Sequence, residues 1–150
     1  MPYTLEVCVD SVASALAAKR GGADRLELCA DLIIGGTTPS LALVRQVKAE
    51  TGLPVRALLR PRFGDFCYDR YELAQMAETA AALVQAGADG IVTGVLTPGR
   101  EGTGCVDALR SIYAPPGPLQ RPLAVRSSAP CTAPLMSAKT PLRRWKRPKR

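Results

Sequence analysis

Histidine is absent from this chain, and so is any apolar run approaching the ~20 residues that a membrane-spanning helix needs. Without histidine the commonest general base is missing, and neither a Ser-His nor a Cys-His nucleophile pair can form. The first nine residues carry an acid, Glu6, where a secretion signal would be basic and then apolar. The sequence therefore predicts a cytoplasmic protein that does not enter a membrane.

Paired cysteine motifs are also missing. The chain has five cysteines, an odd number at wide spacings, so that neither a disulfide framework nor a CxxC zinc pattern fits them. We therefore expect reduced thiols. The five residues are Cys8, Cys29, Cys67, Cys105 and Cys131.

Acidic residues are lacking from one end of the chain only. Residues 114–150 hold 9 basic residues and no acid, whereas residues 1–113 hold 11 basic and 13 acidic residues. Eight of the 13 prolines also lie after Tyr113, and proline cannot continue helix interiors or central strands. We predict a folded domain at 1–113 and a disordered basic tail at 114–150. The cations at 143–150 could attract nucleic acid, but an accidental basic end is the preferred interpretation, so a nucleic-acid partner is not expected.

The first 113 residues alternate short apolar runs with helical patterns. Caps and glycine stops mark the helix ends: Asp10 with Ser11 is predicted to open the first helix, Thr38 with Pro39 the second, and Asp69 with Glu72 the third. The tripeptide Gly-Ala-Asp recurs at 22–24 and 87–89, each time between a predicted helix and a predicted strand. Such alternation predicts a parallel sheet, either open and doubly wound or part of a (β/α)₈ barrel. The predicted strands are 5–9, 25–29, 55–60 and 90–94, and the predicted helices are 12–20, 38–51, 69–87 and about 105–112.

Each of the first two strands has one polar face. Glu6 and Cys8 alternate with apolar residues in the first strand, as do Arg25, Glu27 and Cys29 in the second. An open sheet covered by helices on both sides would bury these carboxylates against apolar surfaces, whereas a barrel turns them inward towards its mouth. The pattern therefore favours a barrel.

Four segments occur in order along the first 113 residues: Leu-Glu-Val-Cys-Val-Asp-Ser (5–11), Gly-Gly-Ala-Asp-Arg-Leu-Glu-Leu-Cys (21–29), Gly-Gly-Thr-Thr-Pro-Ser (35–40) and Arg-Pro-Arg-Phe-Gly-Asp-Phe-Cys-Tyr (60–68). Together they resemble the CutC family of copper homeostasis proteins, and the similarity runs from about residue 4 to 113. The resemblance implies a cytosolic TIM barrel linked to copper handling.

The resemblance also implies a copper site, because two cysteines on neighbouring strands, proposed to bind Cu(I) in the family, match Cys8 and Cys29. Cu(I) is soft and prefers thiolate sulfur, so two reduced cysteines could hold it. Side chains directly across neighbouring strands lie ~5 Å apart, within reach of one ion. The alternative is that both thiols are small core hydrophobes, the usual fate of a buried free cysteine.

A second hypothesis is a barrel enzyme acting on a small anionic substrate. Glu6, Glu27 and Arg60 should point into the barrel near the carboxyl ends of the strands, where they could serve as acid, base and anion clamp. In the loop after the third strand, Arg62 and Asp65 are further substrate-binding candidates together with Arg60. The alternative is a network of salt bridges that only shapes the barrel and the loop.

A complete barrel needs eight strands, and the sequence offers four before Tyr113. We therefore expect an incomplete barrel of about four βα units, produced by truncation. Its first and fourth strands would present unpaired edges, through which copies of the chain could associate. A truncated product with no function of its own is the third hypothesis.

Overall fold

The computed structural model describes residues 3–96 and residue 112. Four strands and three α-helices alternate along the chain, with a short 3₁₀-helix at Leu32–Ile34 in the loop after the second strand. The strands are β1 Glu6–Val9, β2 Arg25–Leu28, β3 Val55–Leu58 and β4 Gly90–Val92, and the helices are α1 Val12–Arg20, α2 Leu41–Thr51 and α3 Arg70–Gln85.

Some of the predictions fall on residues outside the described part of the chain. Of the predicted fourth helix, only Ile112 lies among the described residues, where it is helical and buried. The predicted tail at 114–150 lies outside them, as do Cys105 and Cys131.

The strand order identifies the kind of sheet. All three pairings are parallel, and the spatial order β1-β2-β3-β4 is the order along the chain. Because each crossover between parallel strands is right-handed, crossovers that always advance in one direction place their helices on the same face. Indeed α1 packs beside α2, and α2 beside α3. A doubly wound sheet would reverse its order at a switch point, so this arrangement is a sector of a barrel.

The hydrophobic core lies between the sheet and this layer of helices. Alternate residues of each strand face it, so that Leu26 aligns with Val55, and Leu28 with Ala57, all fully buried. Helix side chains such as Val47 and Leu83 cover them. This is the outer face of the barrel, and the remaining strand positions form the inner face. None of the helices in residues 3–96 is long and apolar enough to cross a membrane.

Helix caps follow the sequence prediction at α1 and α3. Ser11 caps α1, and Asp69 forms a reciprocal capping box with Glu72 at the start of α3, as predicted. The predicted start of α2 is wrong: the N-cap is Ser40, not Thr38. Thr38 is engaged elsewhere, because its hydroxyl accepts a hydrogen bond from the Arg60 backbone N–H, and its own N–H donates to the Arg60 carbonyl.

The tripeptide Gly-Ala-Asp, at 22–24 and 87–89, has the same structural role in both places. Its aspartate precedes one strand and accepts a hydrogen bond from the backbone at the start of the neighbouring strand. Asp24 accepts from the Leu5 N–H at 2.7 Å, and Asp89 from the Val55 N–H at 2.8 Å. The glycines, with φ of 86° at Gly22 and 105° at Gly87, supply the left-handed turn before it.

Candidate functional site

The candidate site lies on the inner face of the sheet, at the carboxyl ends of the strands. Three of its residues form one row across the strands, because the register aligns Cys8 with Glu27 and Glu27 with Arg56. Arg56 aligns in turn with Gly90, and its side chain covers the space that a side chain at Gly90 would occupy. Arg56 is not among the predicted site residues, although its position in alternation with Val55 and Ala57 could have indicated it.

Glu6 and Arg25 lie one step below that row, towards the amino ends of β1 and β2. They are register partners and form an ion pair, in which Arg25 Nε donates to Glu6 at 2.7 Å. Glu6 is thus placed away from the carboxyl ends, where an acid or base would meet a substrate, and its charge is balanced by Arg25. For Glu6 the structure matches the salt-bridge alternative.

Cys8 presents an exposed thiol on the inner face. Partial burial raises the pKa of Cys8, and the neighbouring carboxylates of Glu27 and Glu6 raise it further. A hydrogen bond between the Cys8 thiol and Glu27 adds to the same effect. At neutral pH this cysteine is therefore a protonated thiol, so a metal ion that binds it must displace the proton.

Cys29 is buried, at the point where the loop after β2 folds over the sheet. A side chain at Gly36 would meet the Cys29 sulfur at 3.5 Å and Leu58 Cδ2 at 3.0 Å, and the φ of 83° at Gly36 also favours glycine. Burial raises the pKa of Cys29 to about 11, with smaller contributions from Cys8 and from nearby carboxylates, first among them Asp10. The backbone of this loop thus covers the thiol.

The two cysteines share a face, but they do not lie directly across from each other. The expectation from the sequence that they would is wrong. Glu27 stands opposite Cys8, and Cys29 lies two residues further along the chain, directly after the end of β2. With strands about 4.8 Å apart and about 6.6 Å between every second residue, the two Cα atoms lie on a diagonal of about 8 Å. The relative position of the two cysteines was mispredicted because it depends on the register, which is set by how the strands pair and not by spacing along the chain.

Arg60 holds two loops together. Its guanidinium donates to the carbonyls of Gly35 and Gly36 in the loop after β2, and to the carbonyl of Gly64 in the loop after β3. It also lies over the ring of Phe66, with Cζ 4.9 Å from the ring centre. Arg60 therefore sits at the mouth of the barrel, as predicted, but apart from Glu6.

Arg62 forms hydrogen bonds with its own loop and with the start of α3. Its Nε donates to Glu72 at 2.5 Å and its Nη2 to Asp65 at 3.1 Å, while the Cys67 carbonyl accepts a further bond at 2.9 Å. The Arg62 hydrogen bond holds the pKa of Glu72 below its usual value of 4.5. These contacts match the structural alternative considered for Arg62 and Asp65, a pair that shapes the loop.

The described residues contain no group of three or more histidine, cysteine or acidic side chains arranged to hold a metal ion. Two thiols on one face remain as the metal-binding candidates. This donor set does not fit a tetrahedral zinc site, which takes four ligands, but it suits Cu(I), which accepts sulfur and low coordination.

The fold and the position of this site define a sector of a (β/α)₈ barrel with its polar groups at the mouth. A solved structure of CutC from Streptococcus agalactiae superimposes with a TM-score of 0.66 at 29% identity, over 73% of this chain and 53% of that one. The described residues are therefore part of a TIM-barrel fold.

Residues 3–121 match the model of the CutC family, and the chain belongs to that family. It is 50% identical to the human "Copper homeostasis protein cutC homolog" over 95 residues, 63% of this chain and 35% of that one. It is 44% identical to a family protein CutC of Vibrio atlanticus over 67% of this chain and 41% of that one. The chain thus spans between a third and a half of these relatives, and the family match continues past Tyr113.

Proposed function

We propose that this chain binds Cu(I) through the thiolates of Cys8 and Cys29, as part of the copper handling for which its relatives are named. The observation that supports the proposal most is the placement of two reduced cysteines on one polar face, at the carboxyl ends of adjacent strands. The two sulfurs influence each other, since Cys8 is the largest charge effect on the pKa of Cys29.

Both thiols are protonated in the free protein, so Cu(I) binding exchanges protons for the metal ion. One Cu(I) replaces two protons, so the charge of the two-sulfur site changes from zero to −1. Glu27, hydrogen-bonded to Cys8, and Asp10, close to Cys29, oppose this added negative charge. We therefore expect binding to strengthen as the pH rises, because fewer protons have to be displaced.

The two side chains reach a common ion only after they turn towards each other. Cys8 is exposed and would give up its hydrogen bond to Glu27 on turning, while Cys29 is covered by the loop at Gly36. An ion would approach from the open inner face beside Cys8, and the Cys29 sulfur would complete its coordination from below the loop.

The test is a competitive titration of the reduced chain with Cu(I) against a chromophoric Cu(I) chelator. Cys8→Ser and Cys29→Ser should each weaken binding by at least about 100-fold, because the loss of even an outer-shell partner costs about 10- to 100-fold in metal affinity. Cys67→Ser is the matched control, since Cys67 is a free thiol in the loop after β3 and should leave the affinity unchanged. Circular dichroism checks that all variants are folded. Equal affinities for the parent, Cys8→Ser and Cys29→Ser would show that both thiols are only packing residues.

A further inference from the structure

The loop between β3 and α3, residues 59–69, brings two arginines against two aromatic rings. Arg60 lies over Phe66, and Arg62 over Tyr68, with Cζ 4.9 Å and 5.3 Å from the respective ring centres. Arg60 and Arg62 lie two residues apart at the start of the loop and Phe66 and Tyr68 two residues apart near its end, so that each arginine meets the ring six residues further along the chain. We refer to Arg60, Arg62, Phe66 and Tyr68 as the arginine–aromatic stack.

The two arginines of this stack differ in how their charge is balanced. Arg62 contacts two carboxylates, Glu72 and Asp65. Arg60 has no carboxylate partner among residues 3–96, and the hydrogen bonds of its guanidinium within that range go to backbone carbonyls. The stack thus contains one guanidinium whose charge is balanced by carboxylates, and a second, at the mouth of the barrel, whose positive charge is not balanced by a carboxylate of residues 3–96.

Two polar atoms of the same stack are buried without a hydrogen-bond partner in the described part of the chain. They are Arg60 Nε and the Tyr68 hydroxyl oxygen. A buried donor left unpaired is costly, and native proteins usually satisfy such groups with protein atoms, water or a bound ion. The hydroxyl lies within the field of Arg60: burial raises the pKa of Tyr68, and the Arg60 charge, ahead of that of Arg62, opposes the rise.

We propose that the arginine–aromatic stack is an oxyanion site, in which Arg60 Nε–H and the Tyr68 O–H donate to a phosphate or carboxylate group. A guanidinium N–H suits both groups, since a charge-assisted hydrogen bond from a cationic donor to an oxyanion is short and strong, and Nε–H is the donor that the backbone carbonyls leave available. Because the two donor atoms are buried in the free protein, the ligand can enter only if the loop at 59–69 opens. The site is separate from the two cysteines and goes beyond copper binding.

Inorganic phosphate and acetate are the probes, each compared with sodium chloride at equal ionic strength. We expect one or both to raise the midpoint of thermal unfolding of the full chain, and to protect the amides of residues 63–68 in hydrogen exchange. Stabilisation by phosphate only or by acetate only would identify which group the site takes. No stabilisation by either beyond the chloride control would overturn the proposal.

Tyr68→Phe is the decisive variant because it removes the hydroxyl alone. It should weaken binding of the stabilising anion by about 10-fold or more, the effect of losing one hydrogen bond to a charged group. Without ligand its stability should not fall, since the hydroxyl has no partner to lose. Tyr71→Phe is the matched control, because the Tyr71 hydroxyl is exposed and, within residues 3–96, pairs with neighbouring Arg70 alone. Parent-like binding by Tyr68→Phe would refute the role of this hydroxyl and with it the site.

Discussion

The two faces of the sheet use the same strands for different purposes. On the outer face, residues such as Leu26, Leu28 and Val55 are fully buried under the helices. On the inner face, Cys8, Glu27 and Arg56 form a polar row that is exposed or only partly buried. The fold therefore depends mainly on the outer face, which leaves the inner face free to carry reactive groups.

The largest effect on stability is expected when a leucine of the outer face is replaced by alanine, and a leucine of the inner face provides the comparison. Leu28 is fully buried on the outer face, and Leu58 is partly buried on the inner face of the next strand. Leu28→Ala should lower the free energy of unfolding by about 2–5 kcal/mol, as for other buried leucines, and Leu58→Ala by clearly less. Chemical denaturation of both variants measures the difference. Equal losses would mean that the inner face is as much a core as the outer one.

The next effect concerns the loop that covers Cys29. Gly36→Ala should lower the free energy of unfolding by about 1–3 kcal/mol through the strain of a positive φ, with a further loss because the new methyl group meets Leu58 and Cys29. Gly52→Ala is the control, since Gly52 also has a positive φ, 65°, but a methyl group there would meet no atom within 4 Å. Denaturation curves should show the larger loss at Gly36. A larger loss at Gly52 would contradict this close packing over Cys29.

A smaller effect is expected at the Cys8 thiol itself. Glu27→Gln removes a negative charge that raises the pKa of Cys8, so this pKa should fall and more thiolate should be present at about pH 8. The rate of Cys8 alkylation by iodoacetamide, followed by mass spectrometry against pH, should increase several-fold. Cys67 provides an internal reference in the same molecule. An unchanged rate at Cys8 would argue against its contact with Glu27.

The smallest effect should appear in the loop after β3, at the surface of the molecule. Arg62 and the Asp69 backbone hold the pKa of Glu72 below 4.5 in the folded protein. The Glu72 carboxylate therefore contributes stability that is present above pH 4.5 and is lost as the pH falls through its lower folded value. Glu72→Gln should be less stable than the parent at neutral pH, and the two should converge in acid. Thermal unfolding against pH measures this, and a constant difference would contradict it.

The prediction of the fold from the sequence was accurate where local signals act alone. The caps at Ser11 and Asp69 and the Gly-Ala-Asp turns are read from neighbouring residues, and the structure contains all of them. The start of α2 was missed because Thr38 bonds to Arg60, 22 residues away along the chain. A local pattern cannot reveal that competing partner.

The candidate site was predicted in its parts and not in its arrangement. Cys8, Cys29, Glu27 and Arg60 were named from residue type and strand alternation, and the structure places all four at or near the carboxyl ends of the strands. Which residues lie beside them is known only from the register, which aligns Glu27 with Cys8 and Glu6 with Arg25. Arg56 and Tyr68 were missed: the alternation of Arg56 with Val55 and Ala57 could have indicated the first, whereas the second gains its place only from the packing of the loop.

Three properties of this protein follow from its sequence without the structure: the alternation of strands and helices, the division of the first two strands into an apolar and a polar face, and the resemblance to its family. They depend on periodicity and on short motifs, which act between residues close along the chain. Which polar groups meet is decided in the tertiary structure. The balance of Arg62 by Glu72, the unbalanced charge of Arg60 and the diagonal between the two thiols all depend on strand register and loop packing, which arise from contacts between distant segments.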